Sequence, residues 1–116
     1  MTVRSTARAA MAAACLLIGL GAAAPVWADE ESFVITIKDH RFDPATLEVP
    51  AGKKVKLVVR NQDPTAEEFE SYSLNREKII SGNSEGVVYI GPLDPGTYDF
   101  FGEFHEDTAQ GKLVAK

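Results

Sequence analysis

The sequence predicts an all-β fold, an antiparallel β-sandwich, and three observations support that class. From Phe33 onward, apolar and polar residues alternate over short runs, and a period of two places one face of a strand in a core and the other in water. Turn-forming residues separate these runs at regular intervals. After residue 28, no window of about 11 residues or more has a convincing helical stripe.

The alternating runs define about seven strands, the number typical of a small β-sandwich. In order along the chain, they cover residues 33–38, 47–49, 54–60, 69–74, 87–90, 98–104 and 112–115. Proline, glycine, aspartate and asparagine lie between them, at residues 43–44, 50–52, 63–64, 82–83 and 94–96. Because these residue types stabilise turns, we expect one sandwich with tight connections.

The N-terminal residues have the pattern of a secretory signal peptide. Two arginines and no acid come first, an apolar stretch covers residues 9–24, and Val26-Trp27-Ala28 offers a cleavage pattern. The apolar stretch is short for a membrane span, which needs about 20 residues. We therefore predict a cleaved signal peptide over residues 1–28 and a periplasmic domain over residues 29–116 that does not insert in the membrane. A retained membrane anchor is the alternative.

The negative charge of the chain argues against nucleic acid as a partner. The whole chain has 12 basic and 17 acidic residues, a formal charge of −5. Cleavage removes two arginines and no acid, which leaves a charge of −7. Such a domain repels phosphate, which argues against nucleic-acid binding, and it attracts cations. The only cysteine, Cys15, lies in the predicted signal peptide, where lipoprotein processing is a second alternative, so the mature domain has neither a thiol nor a disulfide.

Four motifs lie toward the two ends of the predicted mature domain: Arg41-Phe42-Asp43-Pro44, Leu47-Glu48-Val49-Pro50-Ala51-Gly52, Pro95-Gly96-Thr97-Tyr98 and Phe104-His105. The first two resemble the opening of small periplasmic cupredoxins, and the last two resemble their closing section. The resemblance covers nearly all of residues 31–116. It is greatest to the EfeO-type cupredoxin-like group and, within that group, to the stand-alone FtrB-type proteins encoded with ferrous-iron permeases. It implies a Greek-key, cupredoxin-like sandwich.

The resemblance also locates the positions of the family's copper ligands, which are a histidine, a cysteine, a second histidine and usually a methionine. It places Glu67 at the first histidine and Gly102 at the cysteine. His105 stands at the second histidine and Thr108 at the methionine, so His105 alone keeps the family's residue type. Because a type 1 centre depends on the cysteine thiolate, we expect no blue-copper centre in this chain.

Residues 61–70 and 98–111 are rich in oxygen ligands and come together in such a sandwich. We therefore predict a carboxylate–histidine site for iron or copper. Its candidate ligands are Glu67, His105, Glu103, Glu68, Glu106 and Asp107. Carboxylates with one histidine suit Fe(II), Fe(III) or Mn(II) better than Cu(I). The alternative is a solvated acidic rim that binds no metal, and in both cases we expect these side chains to lie outside the core.

Three other features receive structural interpretations. His40 follows Asp39 in a predicted turn and is interpreted as a surface residue, with a weak second copper site beside Asp39 or Asp43 as the alternative. Tyr98 resembles the residue of a tyrosine corner, whose hydroxyl binds the backbone of a loop. The three phenylalanines in residues 100–104 are interpreted as core residues.

The resemblance implies an accessory protein of periplasmic iron uptake that acts beside a membrane permease. Its expected role is to bind iron, or copper, and to assist transfer or oxidation of the ion. We expect no enzyme in the chain alone, because a mononuclear site needs copper or a partner protein to accept the electron. Two alternatives stay open, a metal-free cupredoxin-like module that docks on a permease or partner, and a periplasmic copper-binding protein.

Overall fold

The computed structural model describes residues 30–116, and the predicted signal peptide over residues 1–28 lies outside that range. The strands are β1 (Glu30–Lys38), β2 (Arg41–Asp43), β3 (Thr46–Val49), β4 (Lys54–Asn61), β5 (Glu67–Ser71), β6 (Arg76–Ile80), β7 (Ser84–Ile90), β8 (Gly96–Gly102) and β9 (Gln110–Ala115). A 3-10 helix, Glu103–His105, follows β8. Within the described residues, no helix has the length and apolar character needed to cross a membrane.

The strands form a sandwich of two mixed sheets. One sheet has the order β2-β1-β4-β7, and the other has the order β3-β9-β8-β5-β6. β1 runs parallel to β4, with Ile35 opposite Val59, and β3 runs parallel to β9, with Leu47 opposite Leu113. The prediction of an all-β sandwich is therefore confirmed, and the prediction of antiparallel pairing is wrong for these two strand pairs. Alternation reports which face of a strand is buried, but it does not report the direction of the neighbouring strand.

All seven predicted strands correspond to strands of the structure, and β2 and β6 are additional. β2 has only three residues, too few to show an alternating pattern. β6 is an edge strand in which four of five residues are exposed, so its sequence has no apolar alternation. The strand predicted over residues 69–74 ends at Ser71, because residues 72–75 form the turn that leads into β6.

The core lies between the two sheets and consists of the alternating apolar positions. In β4, the side chains of Val55, Leu57 and Val59 are completely buried. From the other sheet, the rings of Phe69 and Phe100 stack with their centroids 5.1 Å apart. The apolar residues of the alternating pattern thus form the buried face of each sheet.

Two of the structural interpretations for residues near β8 can be compared with the structure. The Tyr98 hydroxyl donates a hydrogen bond to the Asp94 carbonyl at 2.7 Å, which confirms its predicted role in holding a loop. Phe100 is in the core as predicted. Phe101 is half-buried, and Phe104 is 49% exposed because it lies beyond the end of β8 in the 3-10 helix. The core prediction is therefore wrong for Phe104.

Three connections meet at one end of the sandwich. They are the turn at residues 39–40, the segment 62–66 and the segment 103–109. The parallel pairing of β1 and β4 places Ile37 opposite Asn61, so both strands finish at the same end of the sandwich. In the other sheet, Phe69 of β5 is opposite Gly102 of β8. This register places the start of β5 beside the residues that follow β8.

Candidate metal site

His40 is held by the tight turn that joins β1 to β2. Asp39 and His40 are its central residues, and both have a left-handed backbone, with φ of 53° and 58°. Aspartate and histidine are among the few residues enriched in this region, and a two-residue turn of this kind matches the strand twist. The Asp63 carboxylate accepts hydrogen bonds from the N–H groups of Asp39 (2.8 Å) and His40 (2.9 Å). Thr108 donates its hydroxyl proton to the His40 carbonyl at 2.6 Å.

Asp63 is the buried carboxylate beneath this turn. It is 7% exposed, and its Oδ2 lies 3.4 Å from Nδ1 of His40. Burial raises the pKa of Asp63, but the hydrogen bonds from the His40 and Asp39 N–H groups and the nearby positive charges outweigh it. The net result is a pKa below the ordinary value for aspartate. Asp63 therefore remains ionised at neutral pH, holds the turn through its two backbone hydrogen bonds and lies beside the His40 ring.

Glu67 is the buried acid at the centre of the site. It is only 1% exposed, although it is the first residue of β5. Its Oε1 accepts hydrogen bonds from the N–H groups of Glu68 (3.0 Å) and Phe104 (2.8 Å), and its Oε2 lies 2.6 Å from Nδ1 of His105. These three contacts compensate for the loss of water around the carboxylate. The expectation that the candidate ligands lie outside the core is thus wrong for Glu67.

His105 ends the 3-10 helix, and its ring stacks on His40. The two ring centroids are 3.6 Å apart, and the ring planes differ by 12°. Nδ1 of His105 and Oε2 of Glu67 share a hydrogen bond at 2.6 Å, and an ion bound by both residues takes the place of the proton between them, since metal binding releases protons from its ligands. A cleft of about 450 Å³ is lined by Asp39, His40, Asp63, Pro64, Thr65 and His105.

The three central side chains are close enough to share one ion. Ligand atoms of His40, Glu67 and His105 all lie within 4.8 Å of one another. An imidazole lone pair lies in the plane of its ring, so two parallel rings direct their lone pairs at one ion only after one ring rotates. His40 has the more exposed side chain, 44% against 29% for His105. The arrangement can therefore bind a metal through two nitrogens and one oxygen once the His40 ring turns.

Gly102 lies beside Glu67, and no side chain fits at this position. An ideal Cβ on Gly102 would be 2.6 Å from Cδ of Glu67 and 2.7 Å from Cβ of Ala109. The Gly102 backbone is extended, with φ of −96° and ψ of 112°, so the restriction is steric and not conformational. The Glu67 carboxylate fills the volume that a side chain at residue 102 would need.

The structure brings two of the six predicted ligands, Glu67 and His105, into direct contact. Glu106 and Asp107 are exposed in the turn that follows the 3-10 helix. The Glu106 carbonyl accepts a hydrogen bond from the Gln110 side chain at 2.7 Å, which fixes the turn. Metal binding by Glu106 and Asp107 stays a prediction.

Glu68 and Glu103, the other two predicted ligands, contact each other. Glu68 follows Glu67 in β5, and successive strand residues point to opposite faces of a sheet. The hydrogen bond with Glu103, burial, and the charges of Glu103, Glu77 and Glu70 raise the pKa of Glu68 to about 7. Metal binding by Glu68 and Glu103 at the His105 site also stays a prediction.

His40 is the site residue that the sequence did not locate. It is interpreted above as a surface residue, whereas the structure stacks it on His105. The cause is the parallel pairing of β1 with β4, which brings the turn after β1 to the end of the sandwich where β4 ends. An alternating pattern does not encode that pairing, so the sequence carried no direct signal for the position of His40.

Comparison with protein families agrees with this fold. Residues 8–115 match the family model described as a cupredoxin-like domain, and the chain belongs to that family. An uncharacterized protein of Rickettsia prowazekii (strain Madrid E) is 50% identical over 80 residues, which cover 69% of this chain and 64% of the relative. The chain thus spans less than two thirds of the length of that relative.

Solved structures share the fold at low sequence identity. Auracyanin A, a blue copper protein from Chloroflexus aurantiacus, has a TM-score of 0.64 and 18% identity, over 75% of this chain and 99% of that protein. The metal-binding domain of the Cu(I)-exporting P-type ATPase CopA of Streptococcus pneumoniae D39 has a TM-score of 0.62 and 16% identity, over 73% of this chain and 84% of that domain. These likenesses show the fold alone.

A type 1 copper centre, which the fold family implies, does not fit the residues of this site. Such a centre needs a cysteine thiolate beside two histidines. The resemblance assigns the cysteine position to Gly102, and the Glu67 carboxylate fills the space beside it. The donors that the site offers are imidazole nitrogens and carboxylate oxygens. The fold is therefore cupredoxin-like, and the candidate site is of a nitrogen–oxygen type.

Proposed function

We propose that this chain is an exported metal-binding protein that holds one divalent transition-metal ion on His40, Glu67 and His105. The observation that carries the proposal is the stacking of His40 on His105 at 3.6 Å, beside a buried carboxylate that fixes His105. The turn between β1 and β2, the first residue of β5 and the 3-10 helix supply these side chains. The low-identity relatives that are named as copper proteins support a metal-binding role for a domain of this fold.

The ligand set suits iron or copper. Two histidines and one carboxylate with open positions form the set of many non-haem Fe(II) sites, and the affinity of such donors for divalent ions reaches its maximum at Cu(II). Residues 29–116 contain no cysteine or methionine that would favour Cu(I). We therefore infer that the site takes Fe(II) or Cu(II).

The proposed physiological role is that of a periplasmic accessory protein of iron uptake, which passes the ion to a membrane permease or assists its oxidation. The resemblance to FtrB-type proteins supports iron, and the charge of −7 over residues 29–116 attracts cations. A periplasmic copper-binding protein is the second candidate, supported by the copper proteins that share the fold. A metal-free module that docks on a permease or partner is the third candidate, and it is favoured if titration detects no bound ion.

Calorimetric titration of the purified protein with Fe(II) under anaerobic conditions, and with Cu(II), tests the proposal. We expect one ion per chain. Removal of a ligand in His105→Ala or His40→Ala should weaken binding by at least the ~10–100-fold that is typical for loss of a residue that only hydrogen-bonds a metal ligand. Binding should also weaken as the pH is lowered, because protons compete with the metal for the imidazole nitrogens.

Glu48→Ala is the matched control for this titration. Glu48 is exposed on β3 and forms an ion pair with Lys116 at 3.2 Å. β3 and β9 run parallel, away from the metal site, so Glu48 lies toward the opposite end of the sandwich. This variant should bind like the wild type. Equal affinities for the wild type, His40→Ala and His105→Ala would overturn the proposed site.

A further inference from the structure

A second group of acidic side chains lies on the outer face of the five-stranded sheet. Glu68 and Glu70 project from β5 on the same face, because residues two apart in a strand share a face. Glu77 of β6 is directly opposite Glu70. Carboxylate oxygens of Glu68, Glu70 and Glu77 all lie within 4.8 Å of one another. Glu103 adds a fourth carboxyl through its hydrogen bond with Glu68.

Glu70 distinguishes this group from an ordinary exposed acidic patch. It is 8% exposed, so more than nine-tenths of its surface is buried. In residues 30–116, its carboxylate has no hydrogen-bond donor other than the Glu77 carboxyl, and no lysine or arginine forms an ion pair with it. A buried carboxylate without a counterion is strongly unfavourable. Glu70 therefore lacks a neutralising partner among the described residues, and its oxygens face those of Glu68 and Glu77.

Arg76 lines the same cleft as Glu70 and Glu77, but its hydrogen bonds go elsewhere. Its Nε donates to the Tyr89 carbonyl and its Nη1 donates to the Asn75 carbonyl, both at 2.9 Å. The cleft has a volume of about 350 Å³, which is ample for an ion and its water ligands. Among the described residues, the Arg76 guanidinium therefore forms no ion pair with Glu70 or Glu77.

The acids also repel one another. Like charges that are directly opposite in a sheet destabilise it, and Glu70 and Glu77 occupy such a pair. Burial and the charge of Glu77 raise the pKa of Glu70. A divalent cation would neutralise this repulsion and supply the missing partner of Glu70.

We propose that Glu68, Glu70 and Glu77 form a second cation site, which binds a hard divalent ion such as Ca²⁺ or Mn²⁺ through oxygen ligands alone. Ca²⁺ takes about 6–8 oxygen ligands, and three carboxylates supply up to about six before water is added. The site differs in chemistry from the one at His40, Glu67 and His105, whose nitrogens select softer ions. This proposal does not depend on the function proposed above.

Titration of the purified protein with CaCl₂, and separately with MnCl₂, tests the second site. A background of about 0.1 M KCl screens non-specific attraction between exposed charges. We expect one Ca²⁺ per chain, with a Kd on the order of 10⁻⁴–10⁻³ M, as in extracellular calcium modules. Glu70→Gln and Glu77→Gln preserve the shape of the side chain and should each weaken binding by about tenfold or more, by the loss of a charged ligand.

Thermal unfolding separates a true cation site from simple charge repulsion. Both glutamine variants relieve the repulsion, so they should fold and have a Tm at or above that of the wild type without Ca²⁺. Ca²⁺ should raise the Tm of the wild type, because an ion that binds only the folded state stabilises it, and at the same Ca²⁺ concentration it should raise the Tm of both variants by clearly less, because they bind the ion more weakly.

Two controls keep the sites distinguishable. Glu48→Gln should bind Ca²⁺ like the wild type. His105→Ala should lose Cu(II) affinity and retain Ca²⁺ affinity, so that failure of one proposal does not affect the other. Absence of Ca²⁺ and Mn²⁺ binding by the wild type, or equal binding by the wild type, Glu70→Gln and Glu77→Gln, would overturn the second site.

Discussion

Replacement of Gly102 by alanine is expected to lower the free energy of unfolding by about 2–3 kcal/mol, in the range for an overpacked interior. The new Cβ would stand 2.6 Å from Cδ of Glu67 and 2.7 Å from Cβ of Ala109, well inside the ~3.5–4.0 Å separation that carbon atoms prefer. The Glu67 carboxylate cannot withdraw without loss of its contacts with the Phe104 N–H and the His105 ring. Urea unfolding of the metal-free protein measures the change.

Gly96→Ala is the matched control, because Gly96 lies on the same strand, β8. The nearest atom to a Cβ at Gly96 is Cε1 of Tyr98 at 3.8 Å, an ordinary contact, so the change in stability should stay within about 0.5 kcal/mol. The double variant Glu67→Ala, Gly102→Ala should lose less stability than the sum of the two single changes, because a short side chain at residue 67 leaves room for the methyl group. Equal stability of Gly102→Ala and Gly96→Ala would show that the Glu67 carboxylate does not pack against Gly102.

Glu67→Ala is expected to have the largest effect on stability, a loss of about 3–5 kcal/mol without metal, since each buried donor left without an acceptor costs about 1–3 kcal/mol and a cavity adds to the loss. The substitution leaves the N–H groups of Glu68 and Phe104 without an acceptor, releases His105, and opens a cavity beside Gly102. This result would differ from the expectation for an exposed ligand, whose removal changes stability little. Urea unfolding in the presence of a chelator gives the value.

Glu67→Gln separates volume from charge in the same experiment. Glutamine fills the same space and can still accept a hydrogen bond, so its loss should be clearly smaller than that of Glu67→Ala. Glu48→Ala, an exposed acid on β3, should stay within about 0.5 kcal/mol of the wild type. If Glu67→Ala were as stable as Glu48→Ala, the carboxylate would be solvated and not buried.

The sequence predicted the sandwich well where one face of a strand is buried. Val55, Leu57 and Val59 alternate with polar residues and point into the core. It gave no sign of β6, because an exposed edge strand has no buried face to impose a pattern. It also could not give the direction of pairing, since β1 would bury the same residues beside a parallel or an antiparallel partner. Pairing direction depends on how the connections pass between the sheets, which is a property of the whole fold.

The candidate site was partly predictable for the same reasons. The resemblance pointed to Glu67 and His105, and the structure places them 2.6 Å apart. The pleat of β5 separates Glu67 from Glu68, and the sequence already contains this information, because adjacent strand residues point to opposite faces. His40 reaches the site through the parallel pairing of β1 with β4. No local pattern around His40 could have predicted a partner 65 residues away, at His105.

Electron paramagnetic resonance of the protein loaded with one equivalent of Cu(II) tests most directly the claim that His40, Glu67 and His105 form one nitrogen–oxygen metal site. We predict coupling of the copper to two imidazole nitrogens, which falls to one nitrogen in His40→Ala and in His105→Ala. We also predict no intense visible absorption from thiolate-to-copper charge transfer, because residues 29–116 contain no cysteine. A nitrogen count that is the same in the wild type and in His40→Ala, or an intense blue colour on addition of copper, would contradict the site.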